Sequence, residues 1–414
     1  MSPQQLALAG FAGMPLAMLA LPVYLHTPAL YARDYGMALG LLGALLFVTR
    51  LLDTALDPLL GLWQDRLSPA AQRGGHLLAV VAGCAGFAWL VAPLPQWPLA
   101  VQMAASLLLV YVAHGWLTIA LLRYGAALWP TPPGRARVAA WREGWGLAGV
   151  MLAAALPAWW AASEGEAAAL QRFVWVLLPL AGLGLLAAAL APPPALPVAA
   201  NPVALAGTDG PRWWQQPTLR RAGVVLLLNA VAMAIPATLL NFYVADVLQA
   251  PAQTGVFLLA YFVAAGVSLP GWVALADRIG KVRAWQAGMA LALAGFAPVA
   301  WLGAGDSAGF VLVCVLTGAA LGADLAFASA LVADALGDRV GRDGGAVFGT
   351  VSMLNKLALA LAAGITLPLA QWAGYTPGQA SPALLWLYAG LPALFKLWAG
   401  WWLGHRQPAI EGTE

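Results

Sequence analysis

The sequence predicts an all-α integral membrane protein of twelve transmembrane helices arranged as two six-helix halves. Three observations carry this: the apolar excess, the spacing of the apolar runs, and the one-sided placement of loop Lys and Arg. Apolar residues make up 62% of the chain and charged residues 9%, with a mean hydropathy of +0.79, whereas a soluble chain carries roughly 25% charged residues. A helix crosses the hydrocarbon in about 20 mostly apolar residues, and uncharged runs of that length recur from end to end.

Pro, Gly and charge clusters delimit apolar runs at 6–30, 37–63, 76–94, 98–122, 139–162 and 172–191, then at 222–245, 254–275, 284–303, 309–333, 345–372 and 382–403. Between the sixth and seventh runs lies the one long polar stretch. It opens on Pro192, Pro193 and Pro194, continues through Pro197, Pro202, Asp209, Gly210 and Pro211, and carries Arg212, Arg220 and Arg221. The expected organisation is therefore an N-terminal bundle over 1–191, a linker over 192–221 and a C-terminal bundle over 222–414. Nothing near Met1 has the charged start and small-residue cleavage site of a secretory signal, so the first run is expected to stay in the mature protein.

Numbering the loops alternately from an inside start puts Arg66, Arg73, Arg135, Arg137, Arg212, Arg220, Arg221, Arg278, Lys281, Arg283, Arg339, Arg342 and Arg406 on one face, against Arg33 and Arg172 on the other. Lys and Arg stay on the cytoplasmic side, so the pattern predicts both termini and the linker inside a cell's inner (plasma) membrane. It also explains the net charge of +3 and the pI near 9 as topology, with no nucleic-acid partner implied. The expected partners are the bilayer and a small-molecule solute, with the chain a monomer. Trp97, Trp159, Trp160, Trp213, Trp214, Trp372, Trp401 and Trp402 fall at run ends, as in an interfacial aromatic belt. Cys84 and Cys314 lie in separate apolar runs and predict neither a disulfide nor a metal site.

Ionisable groups inside spans cost roughly 2.5–3.5 kcal/mol each even on the lenient insertion scale, so each needs a partner or a function. In the second run Arg50, Asp53 and Asp57 stand at i, i+3 and i+7, one stripe of a helix. Two carboxylates one turn apart hold a proton or bind a cation, with Arg50 offsetting part of their charge. Asp324 lies deep in the tenth run and Lys356 deep in the eleventh, where Lys356 is expected to pair with Asp53, Asp57 or Asp324. Three acids against two bases leave one negative charge, which one monovalent cation would neutralise. His114, Arg123, His26, Arg142 and Glu143 are further candidates for the wall of a pathway.

The stretch from Arg50 to Gly61 with Asp53, Asp57 and Pro58, followed by Asp65-Arg66, resembles the second-helix signature of the glycoside-pentoside-hexuronide cation symporters, the melibiose-carrier family of the major facilitator superfamily. Pro130 to Gly146 with Ala140-Trp141-Arg142-Glu143, Ala333-Asp334-Ala335 and Asn355-Lys356-Leu357-Ala358 extend the likeness over nearly the whole chain. The resemblance implies a major facilitator fold and cation-coupled symport. It makes Asp53, Asp57 and Thr118 cation ligands, Lys356 their partner, and Arg142 and Asn355 part of the solute cavity. Where sugar carriers of the family hold acids in the first and fourth helices, this chain reads Gly13-Met14-Pro15-Leu16-Ala17 and Ile119-Ala120-Leu121-Leu122.

A sugar or glycoside and an amphipathic or lipid-like solute are thus the competing substrate classes. An intramembrane prenyltransferase with Asp53/Asp57 and Asp334/Asp338 on magnesium diphosphate, and a non-transporting scaffold, are the more distant alternatives. For the coupling ion, sodium needs about five or six oxygen ligands, and Leu56 supplies none where sodium-using relatives carry an amide. A proton needs only one carboxyl group beside a like-charged neighbour, and H+ is the expected ion with Na+ as the alternative. The topology is checked by a reporter fused after Gly210, which should be active only as a cytoplasmic fusion; activity confined to the periplasm would overturn it.

Overall fold

The computed structural model describes residues 1–195, 216–375 and 379–405, which are helical almost throughout. Most of the expected linker, with Pro197, Pro202, Asp209, Gly210, Pro211, Arg212, Trp213 and Trp214, lies outside the described residues, as does Arg406. Nine described segments are long and apolar enough to cross a bilayer, and one of them, Ser307–Trp372, contains two helices. Leu39–Arg66, with charges at its middle, and Lys281–Phe296 with the 3-10 turn Ala297–Trp301 complete the twelve predicted spans.

The helices are α1 (Pro3–Leu25), α2 (Leu39–Arg66), α3 (Pro69–Val91), α4 (Leu99–Leu128), α5 (Pro132–Glu164), α6 (Glu166–Leu190), α7 (Pro217–Phe242), α8 (Thr254–Ile279), α9 (Lys281–Phe296), α10 (Ser307–Leu336), α11 (Val340–Trp372) and α12 (Pro382–Gly404). In hydrocarbon a backbone N–H or C=O has no water to bond, and a helix satisfies both within the segment. Local chemistry sets several ends. Ser2 caps α1 in a reciprocal box, accepting from the Gln5 backbone N–H while the Gln5 side chain accepts from that of Ser2. Ser68 caps α3 with Pro69 at its first position. Gly280, at φ +84°, lets α8 stop and α9 begin without a spacer.

The chain divides into two compact units: Met1–Pro130 with Trp141–Pro211 and Asp338–Met353, and Arg212–Gly337 with Thr131–Ala140 and Leu354–Glu414. The core of the first gathers Met18, Leu30, Tyr31, Phe87, Leu90 and Phe173 from α1, the turn after it, α3 and α6. The second is centred on aromatic rings: Tyr243 stacks on Phe310 at 5.3 Å and on Tyr388 at 4.4 Å between centroids, and Phe257 meets Phe310 edge-on at 4.9 Å. Trp97, Trp159, Trp372 and Trp401 of the expected belt are all exposed, by 56% to 87%.

Helices in lipid associate by close packing more than by water exclusion, so small residues mark their contacts. On α10, a side chain at Gly318 would collide with the Tyr261 carbonyl of α8, and one at Gly322 with the Ser268 hydroxyl. Gly318→Val should therefore destabilise the second unit by about 1–3 kcal/mol. Gly182→Ala, with open space around it, should be neutral or stabilising by up to about 1 kcal/mol. Thermal melts in detergent check this, and equal melting temperatures for the two variants would contradict the packing.

Candidate functional site

The charged stripe of α2 sits in the first unit. The Arg50 guanidinium carbon lies 4.1 Å from the centre of the Tyr24 ring and 5.8 Å from that of Tyr111, and the two rings stack at 6.2 Å. Arg50 Nη1 is 4.0 Å from Asp53 Oδ2. The cation thus has aromatic faces on one side and a carboxylate on the other, which is how a desolvated guanidinium is held. Asp53 is 2% exposed and Asp57 fully buried. The Asp57 carboxylate reaches α4 where that helix has no side chain: a Cβ on Gly115 would stand 2.6 Å from Asp57 Oδ1. Thr118 follows Gly115 by one turn on the same face, and its buried hydroxyl oxygen has no hydrogen-bond partner among the described residues.

Two turns beyond Asp57, Asp65 accepts hydrogen bonds from the backbone N–H groups of Gly345 at 2.9 Å and Ala346 at 2.8 Å. Arg123 Nη1 stands 3.4 Å from the same carboxylate, and Arg123 Nη2 donates to the Gly341 carbonyl at 2.6 Å. Arg123, considered above as a pathway residue, is thereby engaged in a buried clamp on the first turns of α11. Gly345 makes the contact possible, since a Cβ there would sit 2.6 Å from Asp65 Oδ1.

In the second unit the partner of Asp324 is Lys396, which the charge count from sequence omitted. Lys396 Nζ donates to Asp324 Oδ2 at 2.6 Å and to Asn229 Oδ1 at 2.7 Å, and Trp285 Nε1 donates to Asp324 Oδ1 at 2.7 Å. All four residues are buried. Asp324, one of the three acids expected as company for Lys356, is paired with Lys396, which adds a third in-span base to the Arg50 and Lys356 of the sequence-based count. The signal was present in the sequence: Lys396 lies inside the twelfth apolar run, where a lysine needs a partner as much as Lys356 does. Asp334, from the Asp334/Asp338 pair of the distant prenyltransferase alternative, is bridged by Arg135 at 3.0 Å and by Lys281.

Lys356 is buried and stands midway along α11. Arg142 is buried on α5 and donates to Glu143 Oε1 through Nε at 3.1 Å and Nη2 at 2.6 Å. His114 is half-buried on α4 and Asn355 exposed on α11, while His26 pairs with Glu166 at 3.0 Å. Each unit also contains a cavity. The first, of about 240 Å³ between α1, α3, α4 and α6, has an almost wholly apolar wall in which His76 and Tyr124 carry polar atoms. The second, of about 130 Å³ between α7, α8, α9, α10 and α12, is lined by Phe257, Tyr261, Phe262 and Phe296 and by Asp324 and Lys396.

Comparison with known families gives a match over residues 7–405 to the family described as MFS/sugar transport protein. A search of curated proteins gives no match. Among solved structures, the chain is similar to a bacterial homologue of the iron transporter ferroportin in an outward-facing state, with TM-score 0.69 and 16% identity over 98% of this chain and 100% of that one. It is similar to the E. coli fucose:proton symporter FucP, with TM-score 0.70 and 16% identity over 98% of each chain. The major facilitator superfamily proton:xylose symporter XylE, solved with 6-bromo-6-deoxy-D-glucose, gives TM-score 0.69 and 12% identity over 95% of this chain and 94% of that one. At these identities the likeness is one of fold.

Removing one partner of a buried ion pair leaves the other charge uncompensated, at about 3–5 kcal/mol, whereas replacing both by apolar groups is often nearly neutral. Asp65→Ala should therefore cost the first unit about that much, and Asp65→Leu with Arg123→Met should recover most of it. Chemical denaturation of the purified variants checks this; a double variant less stable than Asp65→Ala would contradict the clamp.

Proposed function

Because this chain belongs to the MFS/sugar transport protein family, and is a multi-pass membrane transporter and not an enzyme, we propose that it is a cation-coupled symporter that moves a sugar or glycoside by alternating access. The observation that carries this reading is the pair of carboxylates, Asp53 and Asp57, buried at 2% and 0% on one stripe of α2. In hydrocarbon both carboxylates are expensive. Their companions fit a small site for a coupling ion. Gly115 leaves room beside Asp57 Oδ1, Thr118 offers a buried hydroxyl one turn away, and Arg50 is occupied by Tyr24, Tyr111 and Asp53.

In this reading Asp53 and Asp57 take up the ion, and Lys356 is the base that competes with it for the carboxylates. H+ is the coupling ion, because Leu56 adds no oxygen to the stripe and a proton requires no cage of ligands. Arg142, Glu143, His114 and Asn355 belong to the solute pathway, with Arg123 held in its clamp. The protein acts as a monomer in the inner membrane with both termini cytoplasmic, in line with the loop Lys and Arg. The apolar wall of the 240 Å³ cavity favours a second reading, in which the solute is amphipathic or lipid-like.

Asp53→Asn and Asp57→Asn should fold and reach the membrane yet lose accumulation against a gradient, in vesicles given an inward pH gradient at negligible sodium. Full concentrative uptake by either variant would reduce the pair to a structural role. Uptake by the wild type that is silent under the pH gradient and appears only with inward sodium would transfer the coupling to Na+.

A further inference from the structure

We propose that the cavity of the second unit is a binding subsite for a neutral, hydroxyl-bearing ring, with the Asp324–Lys396 pair as its polar anchor. The inference rests on the reading of the protein as a solute transporter and adds where, and by what chemistry, the solute is held. At about 130 Å³ the space is on the order of ten times what a single water needs, which suits a small ring and not a lipid.

Its polar floor is pre-organised. Lys396 and Asp324 are 3% and 4% exposed, and Asn229 and Trp285, which bond to them, are 3% and 1% exposed. An ammonium has three donors, of which Lys396 gives one to Asp324 and one to Asn229; the third remains. A carboxylate has about four lone-pair sites, and Asp324 commits two, to Lys396 and Trp285. Both residues line the cavity. The floor therefore has a donor and acceptors to give, and it carries no net charge. A carboxylate or ammonium solute would have to open the ion pair and leave one of its members uncompensated, whereas a hydroxyl can donate to one and accept from the other without disturbing it.

The walls complete the selection. Phe257, Phe262, Phe296 and Tyr261 line the same cavity, and aromatic faces take the apolar C–H face of a ring. If the pair served stability alone, two apolar side chains of similar volume would do as well or better. The pair stands on a cavity wall, where its remaining donor and acceptors can meet a ligand.

The two native cysteines provide the test, because Cys314 lines this cavity and Cys84 the apolar cavity of the first unit. The full-length protein in lipid nanodiscs, with no ion gradient, is treated with methyl methanethiosulfonate, and labelling of each cysteine is followed by peptide mass spectrometry. Saturating phenyl β-D-glucoside should slow labelling of Cys314 about tenfold or more and leave Cys84 unchanged. Asp324→Leu combined with Lys396→Met keeps the site neutral and should abolish that protection, with unchanged Cys314 labelling in the absence of glucoside and an unchanged melting temperature showing an intact second unit. The proposal is overturned if Cys314 is not labelled in the wild type, if the glucoside gives no protection, or if phenyl β-D-glucuronide or toluene protects equally well. Because no gradient is present, a protein that transports without coupling would still pass this test, and a symporter that binds its solute elsewhere would fail it.

Discussion

A charged group in hydrocarbon has no water to turn to, and the polar interior of this protein is organised around that constraint. Arg50 is met by two tyrosine rings and Asp53, Asp65 by Arg123 and two backbone N–H groups, and Asp324 by Lys396 and Trp285. Apart from Asp53, which shares α2 with Arg50, the partners come from helices far apart in sequence, so those contacts also fix how the helices pack. Small residues make this possible at close range: Gly115 admits the Asp57 carboxylate and Gly345 admits that of Asp65. Charge placement and helix packing are therefore one problem, solved at the same positions.

The three clusters differ in what they leave available. The clamp at Asp65 is engaged with the backbone at the start of α11 through the Gly345 and Ala346 N–H groups and the Gly341 carbonyl, and reads as structure. The stripe on α2 places two buried acids one turn apart, with Arg50 beside Asp53, and in the proposed function it takes up the cation. The pair in the second unit is neutral and retains a donor and acceptors on a cavity wall, which suits an uncharged solute. One membrane constraint thus yields a clamp and two further clusters, which we propose as an ion site and a solute anchor.

Much of the fold was legible because the bilayer imposes a length on every span. The run at 37–63 became Leu39–Arg66, and the run at 309–333 became Ser307–Leu336. The errors lie where charge was read as a helix end. The fourth helix continues from the predicted 122 to Leu128 because Arg123 is buried against Asp65. The fifth begins at Pro132 and not at 139, because Arg135 and Arg137 find Asp334 and Asp277. Charge density in one strand of sequence cannot reveal a partner 199 residues away. Of the candidate site, the stripe at Arg50, Asp53 and Asp57 was visible from helical spacing alone. Asn229 and Trp285 were not, since an amide and an indole in apolar runs carry no periodic signal, whereas Lys396 was legible by the rule that singled out Lys356 and was left out of the charge count.

The central claim is that solute and cation cross together. Its most direct measurement is the pH inside proteoliposomes loaded with pyranine, with no imposed ion gradient, when phenyl β-D-glucoside is added outside. The account predicts that the lumen acidifies as the solute runs down its gradient, and that Asp53→Asn abolishes the acidification. Entry of the glucoside with the luminal pH unchanged, and with a rate indifferent to sodium, would contradict it.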